Sequence, residues 1–124
     1  MKYEHMTDCE ETVMKSVWDA DHDASLMDIM TVLKDQYGKD WKRQTISTFL
    51  LHLIQKGYLT SYRSGRTFYY KPLIPVEGFR EHQLDEFVHF WFEGSFDQLL
   101  RTANEGKLIR KRDLAKVKKY LESI

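Results

Sequence analysis

At 124 residues, with 42% hydrophobic and 31% charged side chains, the chain has the balance of a globular protein and is too short for two independent cores. Its formal net charge is +0, yet the charge is segregated: residues 1–40 hold ten acids against four lysines, residues 41–76 hold six bases and no acid, and from residue 77 onward nine acids meet nine bases. No apolar run approaches the ~20 residues that span a bilayer, the opening MKYEHMTDCEET lacks the layout of a secretion signal, and the lone Cys9 excludes an intrachain disulfide and a thiolate metal cluster, so a cytoplasmic protein without a metal cofactor is expected.

In chain order, Thr7 is placed to cap a helix over about Asp8 to Asp19, where Val13, Met14, Val17 and Trp18 recur at helical spacing. The polar stretch DADHDA (19–24) reads as a turn. Ser25, with Asp28 three residues on, has the form of a capping box and opens a second helix whose inner stripe is Leu26, Ile29, Met30, Leu33 and Tyr37; Gly38 suits its left-handed end. A third helix is predicted from about Arg43 to Lys56, closed by Gly57. Its apolar arc is Ile46, Phe49, Leu50, Leu53 and Ile54, and the opposite arc is Gln44, Thr48, Leu51 and Gln55, flanked by Thr45, Ser47 and His52. The runs YLTSYR and TFYYKPL, separated by Ser64-Gly65, read as a β-hairpin. Three helices followed by a basic hairpin is the winged-helix order, with the second and third helices forming the helix-turn-helix pair.

Pro72 and Pro75 mark the expected end of this unit, giving a DNA-binding domain over 1–75 and a helical region over 76–124. In the second region Leu84, Phe87, Val88, Trp91 and Phe92 form a stripe. Gly94 breaks it, and Ser95 with Gln98 has the form of a second capping box, opening a short helix through Phe96, Leu99 and Leu100. After Gly106, the residues Leu114, Val117, Leu121 and Ile124 repeat in the three-four-three pattern of a helix-helix seam. A tail this short has little core in which to hide such groups, so they are expected to bury against a second copy; packing back onto the first three helices is the alternative.

A helix-turn-helix presents the start of its second helix to base edges in the major groove. Glutamine can bond adenine in bidentate fashion, and threonine can donate, accept or lay its methyl against thymine, so Gln44, Thr45 and Thr48 are candidate base readers, with Ser47 and His52 at the margins. Lys42 and Arg43 at the helix entry, and Arg63 and Arg66 near the hairpin tip, are candidate phosphate contacts. Arg63 or Arg66 could instead enter a narrow minor groove.

The stretches VMKSVW (13–18), WKRQTISTFLLHLIQKGYL (41–59) and RTFYYKPL (66–73), together with EGSF (93–96), resemble the penicillinase-repressor family of winged-helix regulators over nearly the whole chain. The resemblance implies a mainly helical fold with a small β-hairpin: a winged helix-turn-helix domain plus a C-terminal helical dimerisation arm. It also implies a homodimeric repressor that binds palindromic operator DNA. Where family members commonly carry arginine, this chain has Ser47 and His52. At the place matching the Asn-Phe bond cleaved in some members it has Thr102-Ala103, and it ends KKYLESI where a copper-responsive branch ends in paired cysteines.

Two other classes were weighed. An enzyme needs a convergent set of titratable groups, and the sequence shows no nucleophile elbow, phosphate loop or paired metal-ligand motif. His82 and His89 lie seven apart without a carboxylate or thiol companion at ligand spacing, and read as surface or interface residues. The second class is a winged helix used as a protein-interaction module, its basic face on an acidic protein partner.

Overall fold

In the computed structural model, which describes residues 3–124, helix α1 (Asp8–Asp19) begins where the Thr7 hydroxyl accepts from the backbone of Glu10 at 3.2 Å. The Thr7 amide in turn donates to the Glu10 carboxylate at 2.9 Å, so two otherwise orphaned donors are satisfied reciprocally. A two-residue strand β1 (Ala24–Ser25) leads directly into α2 (Leu26–Tyr37), which the Ser25–Asp28 capping box opens as the sequence predicts. Gly38 closes α2 at φ +66°, a left-handed conformation that costs glycine little, and the amides of Gly38 and Lys39 both turn back to Leu33 O. Helix α3 (Arg43–Gln55) follows, ending at Lys56 and Gly57.

Strands β2 (Leu59–Ser64) and β3 (Thr67–Pro72) form the hairpin. The predicted Ser64-Gly65 break is shifted by one residue. Ser64 pairs with Thr67, so the two-residue loop is Gly65-Arg66, with Gly65 supplying the positive φ of +64°. The expected turn over 19–24 is also shorter than read: Ala24 and Ser25 pair antiparallel with Tyr70 and Tyr69, giving a sheet of order β1-β3-β2. A two-residue strand has no periodicity to reveal it.

The core lies beneath these elements. Val13, Met14 and Val17 of α1, Ile29 and Leu33 of α2, and Ile46, Leu50 and Leu53 of α3 are buried with Met6, Ala24, Tyr58 and Leu59. The flanking stripe residues Trp18, Leu26, Met30, Tyr37, Phe49 and Ile54 pack around that centre. Trp18 also donates its indole N–H to Ile74 O at 2.8 Å, tying the exit of β3 to α1.

Beyond the sheet come α4 (Val76–Phe92), α5 (Phe96–Glu105) and α6 (Lys111–Glu122). The chain separates into two compact units, one ending at Arg80 and one spanning Glu81–Ile124, where the sequence places the division after residue 75. Pro75 starts a helix here, and the first turn of α4 carries Phe79 into the first unit. Its ring lies 5.2 Å from Trp18, 5.8 Å from Tyr3 and 5.9 Å from Tyr58, centroid to centroid. Phe79→Ala is expected to lower stability by about 2 kcal/mol, reduced from the full core value because the ring is only partly buried; a urea midpoint indistinguishable from wild type would refute this role. Met1 and Lys2, where the expected first domain opens, lie outside the described residues.

The second unit is built differently. Val88 is its one fully buried hydrophobic among the described residues. Ser95 caps α5 by accepting from Gln98 N at 3.2 Å, but its own amide goes to Phe92 O, so the predicted box is half formed.

Candidate nucleic-acid interface

Burying Ile46, Leu50 and Leu53 fixes the rotation of α3 about its axis, and the rotation decides which side chains face out. Gln44, Thr48, Leu51 and Gln55, the arc opposite the core, are all exposed, as are Lys42, Arg43 and Thr45; Ser47 is half-buried at the margin. The Thr48 hydroxyl is turned back along the helix and donates to Gln44 O at 3.0 Å. Unlike α1 and α2, α3 starts at a residue, Lys42, whose side chain makes no cap, so its first-turn amides carry no side-chain acceptor.

Tyr70 of β3 lies toward the base of the hairpin, in register with Ser61 of β2 and Ala24 of β1. It is half-buried; burial raises its hydroxyl pKa, and the Arg43 charge acts in the opposite sense. At the other end of the ribbon Arg66 occupies the two-residue loop and is exposed. Arg63 folds back onto the hairpin: its Nε donates to Gly65 O at 2.9 Å and its guanidinium sits 5.9 Å from the ring centroid of Phe68, its register partner. The sequence pairs these arginines as equals, whereas the fold gives Arg66 the tip and Arg63 a contact with the ribbon itself.

His52 is the other residue whose surroundings differ from a plain outward position. Its side chain is 46% exposed, yet Nδ1 lies 3.3 Å from Oε2 of Glu10, whose own side chain is 4% exposed. Lys56, one turn further along α3, places Nζ 2.6 Å from Oε1 of the same carboxylate and 2.8 Å from His5 O. Burial works against the Glu10 charge, but the hydrogen bonds from Lys56 and the Thr7 amide, with the charges of Lys56 and His52, outweigh it and hold the carboxyl below its ordinary range. Glu10 thus joins the start of α1 to the last turns of α3.

A family model described as the penicillinase repressor matches residues 6–123. The chain belongs to the penicillinase-repressor family. Within that family, the penicillinase repressor of Bacillus licheniformis is 27% identical over 122 residues, covering 98% of this chain and 92% of its relative. A second similar protein, an uncharacterised 16.5 kDa protein of Latilactobacillus sakei, is 33% identical over 70 residues, or 56% of this chain and 46% of that one. The solved DNA-binding domain of the repressor BlaI has 34% identity and a TM-score of 0.51, covering 59% of this chain and 85% of that domain. Family and fold together make the protein a DNA-binding repressor of the winged-helix class, as the sequence motifs imply.

Three features of this penicillinase-repressor family member escaped sequence reading. Tyr62 stacks on Tyr69 with ring centroids 5.7 Å apart and donates its hydroxyl to Asp23 at 2.5 Å, bracing the wing against the loop before α2. That hydrogen bond is the main reason the Tyr62 pKa is raised. The second is β1. The third is the Glu10 cluster, whose members are 46 residues apart in the chain; its only sequence signal was the T-x-x-E spacing of Thr7 and Glu10, which marks a cap and not a cross-link. Among the described residues no three His, Cys, Asp or Glu side chains converge as metal ligands, and no helix is long and apolar enough to cross a membrane.

Proposed function

We propose that the protein acts in the cytoplasm as a homodimeric, sequence-specific repressor, with α3 in the major groove of a palindromic operator and the wing on the phosphate backbone. The observation that carries the DNA reading is the exposed Gln44–Gln55 arc of α3, with Lys42 and Arg43 exposed at its entry and Arg66 exposed in the hairpin loop, all within a stretch that has six bases and no acid. In this reading Gln44, Thr45 and Thr48 meet base edges, Ser47 and His52 lie at the groove margin, and Lys42, Arg43, Arg63 and Arg66 serve the phosphates. The uncapped first turn of α3 adds backbone N–H donors beside Lys42 and Arg43, a favourable place for a phosphate oxygen.

The dimer reading rests on the second unit. Leu84, Phe87, Trp91, Phe96, Leu100 and Leu121 are exposed, and Phe92, Leu99, Leu114 and Val117 are half-buried. Only Val88 of the predicted dimerisation set is already buried in the chain. Surface of this kind on a short helical unit calls for a partner, and a second copy supplies the two-fold symmetry that a palindrome matches, with half-sites about one helical turn, roughly 10 bp, apart.

Titration of duplex DNA at increasing salt tests the first part. The logarithm of affinity is expected to fall linearly with the logarithm of salt concentration, and Arg66→Ala to weaken binding to all sequences while reducing that slope by about one. A salt-independent response, or no binding to any duplex at low salt, would favour an acidic protein partner for the same face.

A further inference from the structure

The outward arc of α3 changes character along its length. Gln44 at its start is an amide that can both donate and accept, whereas one turn on, the single donor proton of Thr48 is already engaged by Gln44 O at 3.0 Å. A threonine bound back to its own helix in this way offers the groove its γ-methyl and an acceptor oxygen, but no donor. The next residue on the arc, Leu51, is 52% exposed and has only methyls to offer. It lies three positions from Thr48, so the two side chains are neighbours on the helix surface, about 5–6 Å apart at Cβ. His52, the adjacent residue with polar atoms, is directed at Glu10 instead.

We propose that Leu51, together with the methyl of Thr48, is a specificity-determining contact that reads the C5-methyl of a thymine in the operator half-site. This rests on the reading that α3 enters the major groove. The chemistry follows from what base edges carry there: a donor or an acceptor on every base, and a single apolar group, the thymine methyl. An apolar side chain in that groove leaves polar base atoms without a partner at every base except one that presents a methyl, so Leu51 gains from thymine and loses against cytosine. The arc as a whole then has an amide for adenine at its N-terminal end and an apolar pair for thymine one to two turns further on.

The test uses the full-length protein and duplexes first selected by the wild-type chain. Each thymine of the selected half-site is replaced in turn by deoxyuridine, which removes the methyl and leaves the pairing edge intact. At one position, or two adjacent ones, the replacement is expected to weaken wild-type binding about fourfold per methyl. In Leu51→Ala the ratio of thymine to uracil affinity at that position falls to near one, and Thr48→Ser, which keeps the back-bonded hydroxyl without the methyl, lowers the same ratio. Wild-type binding that no deoxyuridine weakens, or a penalty of unchanged size in both variants, overturns the inference while leaving the groove reading in place. Absence of any duplex binding by the wild-type chain at low salt overturns both.

Discussion

Trp91→Asp is expected to turn the full-length protein into a monomer and to weaken its binding to a two-half-site operator by about 100-fold or more, while its affinity for an isolated half-site stays near wild type. Trp91 is 63% exposed on α4 and lies edge-on to Phe90, itself 74% exposed, with a ring centroid separation of 4.9 Å. Two such rings in water on a helix with few neighbours represent a large unburied apolar area, and a carboxylate placed among them in a closed interface would be desolvated without a partner. The operator effect is one of effective concentration: once one wing domain is bound, its tethered twin finds the second half-site without a fresh bimolecular step, a gain of roughly 10²–10⁴ that a monomer forfeits. Sedimentation gives the assembly state, and titrations on half and whole operators give the split. An undiminished dimer would move the interface away from α4. Deleting the second unit should produce the same monomer, and the cut belongs after Arg80, because a chain stopped at Pro75 also loses Phe79 from the aromatic cluster of the first unit.

The second large effect is expected at Glu10. Removing a buried carboxylate that holds Lys56 and His52 strands a lysine at a partly covered site and halves the α1 capping box. Glu10→Ala should therefore cost about 3 kcal/mol, and Glu10→Gln somewhat less because the amide oxygen still accepts from Thr7. The pH dependence has a definite sign. Since the folded protein holds this carboxyl below its ordinary range, its contribution is complete at neutral pH and is lost as pH falls below about 4.5 and through the depressed folded value. Denaturant midpoints measured from pH 7 to pH 3 should thus fall less steeply in Glu10→Gln than in wild type; parallel curves would show that the cluster adds nothing to acid stability. Because His52 lies in the last turn of α3 and Lys56 closes that helix, the same variants report whether loosening its end lowers discrimination among operators more than it lowers general DNA affinity.

Helices α1, α2 and α3 could be read with their ends because each signal was local: Thr7, the Ser25–Asp28 box, Gly38 and Gly57 act within about a turn and a half of where they sit. The outward arc of α3 was equally legible, since a buried stripe of Ile46, Leu50 and Leu53 leaves only one side for the rest. What the sequence withheld depends on distant pairings. Ala24 joins a sheet with Tyr70, Asp23 meets Tyr62, and Glu10 meets Lys56, and no spacing rule links residues 39 to 46 apart. The unlike settings of Arg63 and Arg66 turned on a single step of strand register, because the residue that closes the ladder decides which arginine becomes the loop. Phe79 was hidden for a related reason: Pro75 punctuates the sequence, but proline is at home at the start of a helix and does not bar the first turn from joining the preceding core.

Ser25 is the last residue of β1 and also the cap of α2. The ribbon and the helix-turn-helix are therefore geared through one residue, and sliding β3 along β1 by a single position would swap the faces of Tyr69 and Tyr70 and disturb the seat of the cap at once. The anchored end of the wing is thereby fixed, while the loop end past Tyr62 has its ladder and the contacts of Arg63 with Gly65 and Phe68. Inserting one matched pair of residues between Arg63 and Phe68 would extend the tip by about 3 Å, and two pairs by about 7 Å, without touching anything that α2 depends on. Under the proposed docking, the length of phosphate backbone within reach of the wing is set independently of the bases that α3 meets.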